Sequence, residues 1–171
     1  MPLPLLTTPH LTLQPFSSDD LDALHALWTD PHVRRYLWDD IVITRERAAQ
    51  TLNTALATAA SDGIGHWTLR FEPDGTVIGD CGFQFIPSTR KIELMCCLLQ
   101  PYWGKGLASE ACKTAIGYAR SLNYARVHGR ADIPNRDSIR LMERLGMRYL
   151  SDDGRLVTYV LFPLDGLQES R

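Results

Sequence analysis

The chain has no run approaching the roughly 20 consecutive apolar residues that a bilayer-crossing helix needs. Neither sign of charge is concentrated: 18 Lys and Arg stand against 20 Asp and Glu, a formal net charge of −2. Without a cationic stripe there is no footprint for a phosphate backbone, so neither a nucleic-acid nor a membrane partner is expected. The opening Met1-Pro2-Leu3-Pro4-Leu5-Leu6 carries no positive leader and no sustained apolar stretch, which points to a cytoplasmic protein. Cysteine is scarce: Cys81, Cys96 and Cys97 fall in apolar strand-like patterns and Cys112 on an apolar helical face. None has metal-motif spacing, so the expectation is reduced thiols packed as small hydrophobes, and no metal. No repeat and no Pro/Gly/Ser linker divides the chain. Its 171 residues, 44% hydrophobic and 22% charged, suit a single domain over 1–171.

What is present is punctuation and periodicity. His10 to Phe16 reads as an opening strand limited by its proline. Ser17 or Ser18 can cap a helix bearing Leu21, Leu24, Leu27 and Trp28, which Asp30 and Pro31 stop. A short helical stretch from His32 to Leu37 leads into Trp38, Asp39 and Asp40. Thr44 begins a longer helix with Ala48, Leu52, Leu56 and Ala59 on its apolar face, ended by Gly63. Three strands follow as an antiparallel meander: Trp67 to Phe71, Thr76 to Ile86 and Arg90 to Leu99, turning at Pro73-Asp74-Gly75 and near Pro87-Ser88. The last of these is apolar on both alternating faces, as a central strand requires, and only Glu93 interrupts it. Leu107 to Ala119 has a broad apolar helical face, Ala125 to Ala131 reads as a strand, and Asn135 opens a helix closed by Gly146. Two strands then run to about Phe162. The order describes a mixed α/β or α+β sheet with helices on its faces.

The strongest chemical signal is Trp103-Gly104-Lys105-Gly106-Leu107-Ala108, between the central strand and a helix. A glycine turn opening a helix offers unpaired backbone N–H groups to one spot, where the helix dipole favours negative charge. Gly104 and Gly106 remove side chains where a pyrophosphate would approach, and Lys105 adds positive charge. Taken alone, the same glycines would serve a plain tight turn. A Walker loop is excluded because Lys105 lies between the glycines, and a dinucleotide fingerprint fails because an antiparallel meander precedes it.

The stretch Tyr102 to Ala111 resembles the acetyl-CoA pyrophosphate loop of GNAT acetyltransferases, especially the branch of ribosomal-protein N-terminal (RimJ/RimL-type) enzymes. The family pattern Q/R-x-x-G-x-G/A falls on Trp103, Gly106 and Ala108, with Trp103 in place of Gln or Arg. Asn135 to Met147 is similar to the branch's N-x-x-S helix with a Leu-Gly-Phe-like ending, Met147 replacing the aromatic. With the opening strand and the Trp28-Thr29-Asp30-Pro31-His32-Val33 segment, the resemblance spans nearly the whole chain. It implies a mostly antiparallel twisted sheet of about seven strands, splayed between the fourth and fifth main strands, with helices on both faces.

The resemblance also implies chemistry. Acetyl-CoA would be the co-substrate, its arm paired with the strand edge at Met95, Cys96, Cys97 and Leu98 and its pyrophosphate on Trp103 through Ala108. Glu93 would be the base, taking the proton directly or through water and made a better acceptor by desolvation, or else is an ordinary rim carboxylate, and a backbone N–H between Met95 and Cys97 would hold the thioester oxygen. Ser138 falls where the branch has its acid and Asn135 where a residue helps hold the coenzyme, although Asn followed by Ser is also a helix-capping pattern. The tyrosine acid of many relatives is replaced by Met142. An acyl-carrying Cys96 or Cys97 is the alternative to direct transfer, but no histidine is near in sequence. Trp38, Asp39 and Asp40 offer an apolar wall and negative charge for a cationic amine, or are solvated loop residues beside a helix start. The expected activity is transfer of acetyl to a peptide N-terminus or a small-molecule amine. A non-catalytic acyl-CoA sensor and a structural protein assembling through its sheet edges are the alternatives, and a homodimer is compatible with the resemblance.

Overall fold

The computed structural model describes residues 2–72 and 74–163. The predicted turn residue Pro73 lies outside them. A two-residue strand β1 (Leu6–Thr7) precedes β2 (Leu11–Pro15), and a 3-10 turn leads into α1 (Leu21–Thr29). Asp20 fixes that entry by accepting the Ser17 backbone N–H at 2.8 Å. Asp30, expected to stop α1, also starts α2 (Pro31–Leu37). Its carboxylate accepts the N–H groups of His32 and Val33 at 2.9 and 3.2 Å, and Pro31 supplies a first position that needs no donor. Thr44 caps α3 (Arg45–Asp62) through the Arg47 N–H at 3.2 Å, and Gly63 closes it at φ 70°.

The meander is β3 (His66–Phe71), β4 (Thr76–Phe85) and β5 (Ile92–Leu98). Then come α4 (Leu107–Ser121), β6 (Val127–Asp132), α5 (Arg136–Arg144), β7 (Arg148–Asp152) and β8 (Leu156–Leu161). The sheet order is β1-β2-β3-β4-β5-β6-β8-β7. β1 is a small addition to the seven main strands expected. Every pairing is antiparallel except β5 with β6.

That exception shapes the molecule. β5 pairs with β4 along its full length, and β6 pairs likewise with β8. Between β5 and β6, only Ile92 with Val127 and Glu93 with His128 are in register. Among the described residues, the far edge of β5 from Leu94 to Leu98 therefore has no strand partner, and the sheet splays between its fourth and fifth main strands.

Strand alternation sends the two faces of β5 into different cores. Ile92, Leu94, Cys96 and Leu98 pack with Leu107, Ala111, Cys112 and Ala115 of α4. Cys97 and Leu99 join Phe16, Leu24, Trp28 and Leu52 under α1 and α3. α5 covers a third cluster of Ala131, Met142, Met147, Val157 and Tyr159. Each fully buried side chain such as Leu11, Leu69 or Phe83 contributes about 1.5–3 kcal/mol, and this burial holds the splayed strands at their angle. Among the described residues, no helix is long and apolar enough to cross a membrane.

Candidate active site at the splayed strands

β5 ends in a 3-10 turn over Gln100–Tyr102, and Trp103 then leads into the glycine turn. Gly104 and Gly106 take φ 72° and 78°, the left-handed region that side chains resist. A Cβ on either would meet nothing within 4 Å. The glycines thus serve the backbone path and leave open space above the start of α4, whose first-turn N–H groups have no intrahelical acceptor. Leu107 is buried and plugs the helix into the core. Trp103, 43% exposed, donates its indole N–H to the Leu98 carbonyl at 2.7 Å and meets His32 edge-on at 5.9 Å. Lys105 lies over the Tyr102 ring at 5.5 Å. One turn on, Glu110 ties α4 to the β1–β2 turn, accepting the Thr8 hydroxyl, the His10 backbone N–H at 3.0 Å and His10 Nδ1 at 2.9 Å. Burial pushes this carboxyl up, but the hydrogen bonds from Thr8 and His10 outweigh it and hold Glu110 below its ordinary range.

Glu93 sits where the strands diverge, 3% exposed. Arg130 on β6 grips it with two hydrogen bonds, Nε to Oε1 at 2.9 Å and Nη2 to Oε2 at 2.8 Å, and Gln84 on β4 donates to Oε2 at 3.2 Å. The sequence suggested a carboxylate desolvated among apolar neighbours, and the structure surrounds it with donors instead. Arg130 alternates along β6 onto the same face as His128, the register partner of Glu93. His128 is 5% exposed, and its Nδ1 has no hydrogen-bond partner. Burial pushes its imidazole below 6.5 and the charges of Lys91 and Arg126 add to this, against the Ile92 backbone and the Glu93 charge. The shift favours the neutral ring, with Nδ1 unpartnered.

Asn135 caps α5, its side chain accepting the Ser138 N–H at 3.3 Å. The capping pattern is therefore real. It occupies the Asn135 carbonyl and leaves the Asn135 amide and the Ser138 hydroxyl free for other partners. α5 packs with Ala131, on the face of β6 opposite His128 and Arg130. Met142 is buried beneath α5.

At the end of α2, Asp39 and Asp40 both adopt positive φ, 50° and 63°. Asp39 pairs with Arg155 at 2.5 Å, and Arg155 also reaches Asp132 at the end of β6, at 3.4 Å. Asp40 pairs with Arg34 at 3.0 Å. The negative charge expected to meet a cationic amine is already matched by arginines. The apolar wall is present: Leu37, Trp38, Ile41, Val42 and Ile43 line a cavity of about 420 Å³ with Arg47, and the buried Trp38 indole N–H lacks an acceptor. The Asp39–Arg155–Asp132 chain fixes the rim of this cavity to the diverging strand.

Two buried groupings escaped sequence reasoning because strand register, not chain spacing, assembles them. Asp80 on β4 accepts the Trp28 indole N–H at 2.7 Å and the Cys97 thiol at 3.4 Å, with His66 Nδ1 at 3.6 Å. Burial and the Asp80 charge push the Cys97 thiol well up, so Cys97 is a poor nucleophile. Direct transfer remains the chemistry to consider. On the other face, Cys81, Cys96 and Cys112 gather with all three sulfurs within 4.8 Å of one another.

The "Acetyltransferase (GNAT) domain" family matches residues 10–148. The uncharacterized N-acetyltransferase p20 of Bacillus licheniformis is 30% identical over 93% of this chain and 94% of its own length. An acetyltransferase structure from Agrobacterium tumefaciens superposes with a TM-score of 0.83 at 23% identity, covering 94% of this chain and 95% of that one. The ribosomal L7/L12 α-N-protein acetyltransferase RimL, solved with coenzyme A, superposes with a TM-score of 0.76 at 16% identity, covering 93% and 97%. The splayed sheet, the glycine turn and these likenesses agree, and the chain belongs to the GNAT acetyltransferase family, an N-acetyltransferase by descent and architecture.

Proposed function

We propose that this enzyme transfers acetyl from acetyl-CoA to a primary amine, in a ternary complex at the splayed strands. One observation carries the reading: an unpartnered strand edge, Leu94–Leu98, runs into a turn whose two left-handed glycines leave open space at a helix start. An extended amide chain ending in a pyrophosphate fits both features at once, and these residues therefore suit the coenzyme.

Acetyl-CoA supplies the acyl group as a thioester. The backbone of Met95, Cys96, Cys97 and Leu98 pairs with its amide arm, and a main-chain N–H in this stretch faces the carbonyl oxygen that gains charge. The N–H groups from Gly104 to Ala108 hold the pyrophosphate, with Trp103 and Lys105 at its edge and Leu107 anchoring the turn. The free amide of Asn135 steadies the arm, and the Ser138 hydroxyl donates a proton to the departing sulfur. A thiolate with a pKa of about 8.5 needs only a weak acid.

The attacking amine must lose a proton. Glu93 receives it through water in the reading the family resemblance supports, working against the Arg130 charge. A second reading has a specific observation behind it: His128, neutral with Nδ1 unpartnered beside Glu93, takes the proton while the Glu93–Arg130 pair holds the strands at their divergence. The acceptor enters past Trp38, Asp39 and Asp40. Because both aspartates are ion-paired, an amine with an apolar neighbouring group suits this wall better than a polycation. A peptide N-terminus with an apolar first residue and a small arylalkyl or alkyl amine both meet that description. A homodimer would use edge strand β7, exposed along its length with Tyr149 and Leu150 outward. In this reading the enzyme works in the cytoplasm.

Thiol release from acetyl-CoA across a panel of amines and peptides tests the function. Turnover should rise with apolar substituents next to the amine. Coenzyme-dependent stabilisation with no release on any amine would point to an acyl-CoA sensor.

A further inference from the structure

Chain spacing gives the cysteines no metal motif, but the fold brings three of the four together. Cys81 and Cys96 are directly opposed Cα partners on β4 and β5, and Cys112 reaches them from α4. Their sulfurs lie within 4.8 Å of one another. A pyramidal trivalent centre bound at about 2.3 Å to three sulfurs needs them roughly 3.3–3.5 Å apart, so closing the site calls for the three side chains to rotate toward one another.

We propose that Cys81, Cys96 and Cys112 form a capture site for a soft trivalent metalloid of the arsenite class.

The donor set selects soft, thiophilic species, since each of the three ligands is a sulfur. Charge then selects valence. Cys81 and Cys112 are fully buried, and their neighbours in the same core are Phe83, Ile92, Leu98, Ala111 and Ala115. The Asp80 carboxylate beside Cys81 adds to the burial that raises this thiol, so further negative charge is unwelcome here. An uncompensated charge among such side chains is costly. Three thiolates on a divalent ion leave one negative charge, and on a monovalent ion two. A trivalent centre leaves none. The reaction conserves charge and electrons: As(OH)3 and three thiols give As(S–Cys)3 and three waters, each thiol proton leaving on a hydroxide as an As–S bond replaces an As–O bond. No oxidant or reductant takes part.

The location gives the site a consequence. It would staple β4, β5 and α4, the elements that carry the open strand edge and the glycine turn. Cys96 lies on the splayed stretch and is the half-buried member of the trio, so entry runs through the cleft. The proposal stands whether or not the acetyltransferase reading holds, because its readout is metalloid uptake.

The test is native mass spectrometry of the reduced full chain with arsenite, paired with thermal melting. One arsenic per chain with loss of three hydrogens is expected, and a melting temperature raised by about 5–10 °C at roughly a hundredfold excess over the dissociation constant. Cys96→Ser and Cys112→Ser should lose the three-bond adduct, and Cys97→Ser should keep it. No adduct, or an adduct unchanged in both variants, would overturn the proposal. Zinc uptake in preference to arsenite would overturn the trivalent assignment. Should the variants not fold, arsenic X-ray absorption on the unmodified chain decides: three sulfurs at about 2.3 Å support the site, and two or fewer refute it.

Discussion

Arg130 holds Glu93 through two parallel hydrogen bonds, 2.9 and 2.8 Å, from the strand on the far side of the splay. The pair spans the point where β5 and β6 stop sharing register, with Glu93 almost fully buried and Arg130 about a quarter exposed. Removing either partner alone leaves a charge without its match, which is far worse than removing both. Arg130→Met should destabilise the fold by about 2–4 kcal/mol, and adding Glu93→Gln should recover much of that loss. Urea denaturation of the double-mutant cycle measures the coupling, and additive losses would show that the pair does not hold the vertex.

Proton transfer separates the two acceptors. If Glu93 takes the amine proton, Glu93→Gln should lower kcat by about 10²–10⁴-fold while His128→Gln has a small effect. If His128 takes it, the ranking inverts, and the acidic limb of the kcat/KM profile, lying below 6.5, disappears in His128→Gln. Full activity across pH in both variants would remove both groups from catalysis.

His128 also marks stability. Its folded-state value is pushed below the ordinary 6.5 by burial, so below that pH the unfolded chain binds a proton that the folded chain resists. Stability from this group is complete above about pH 6.5 and falls as the pH drops toward the lower folded-state value. Thermal melts at pH 7.5 and 5.5 should show a larger loss for the unmodified chain than for His128→Gln. Equal losses would contradict the burial argument.

Glu110 behaves similarly in a more acidic window. Hydrogen bonds from Thr8 and His10 hold its carboxyl below the ordinary 4.5, so its contribution is present above that pH and is lost as the pH falls through the folded-state value. Glu110→Gln should lower the melting temperature at pH 7 and narrow its gap from the unmodified chain near pH 3.

The glycines divide by what surrounds them. At Gly106 a Cβ meets open space, so Gly106→Ala should cost about 1 kcal/mol from its left-handed backbone and raise the KM for acetyl-CoA. At Gly79 a Cβ would sit 2.1 Å from the Cys97 carbonyl, and Gly79→Ala should fail to fold. An unchanged KM in Gly106→Ala would separate the turn from coenzyme binding.

Local signals in the sequence announced most of the frame. Thr44, Gly63, Asn135 and Gly146 bound their helices as cap chemistry dictates, and the apolar run from Ile92 to Leu99 announced a central strand. The glycine turn was legible because its left-handed positions require a particular residue type. What stayed hidden depends on register. Nothing near Glu93 in sequence indicates Arg130, which is 37 positions away, and the thiol trio exists because Cys81 faces Cys96 across two strands. The arginines that match Asp39 and Asp40 were hidden for the same reason: surface charge pairing follows from tertiary contact, and composition does not carry it.

Amide hydrogen exchange with and without coenzyme A reads the backbone N–H groups of the proposed coenzyme site themselves. Slowed exchange is expected only at Leu94–Leu98 and Gly104–Ala108, the open strand edge and the glycine turn. Protection elsewhere, or none at saturating coenzyme A, would contradict it.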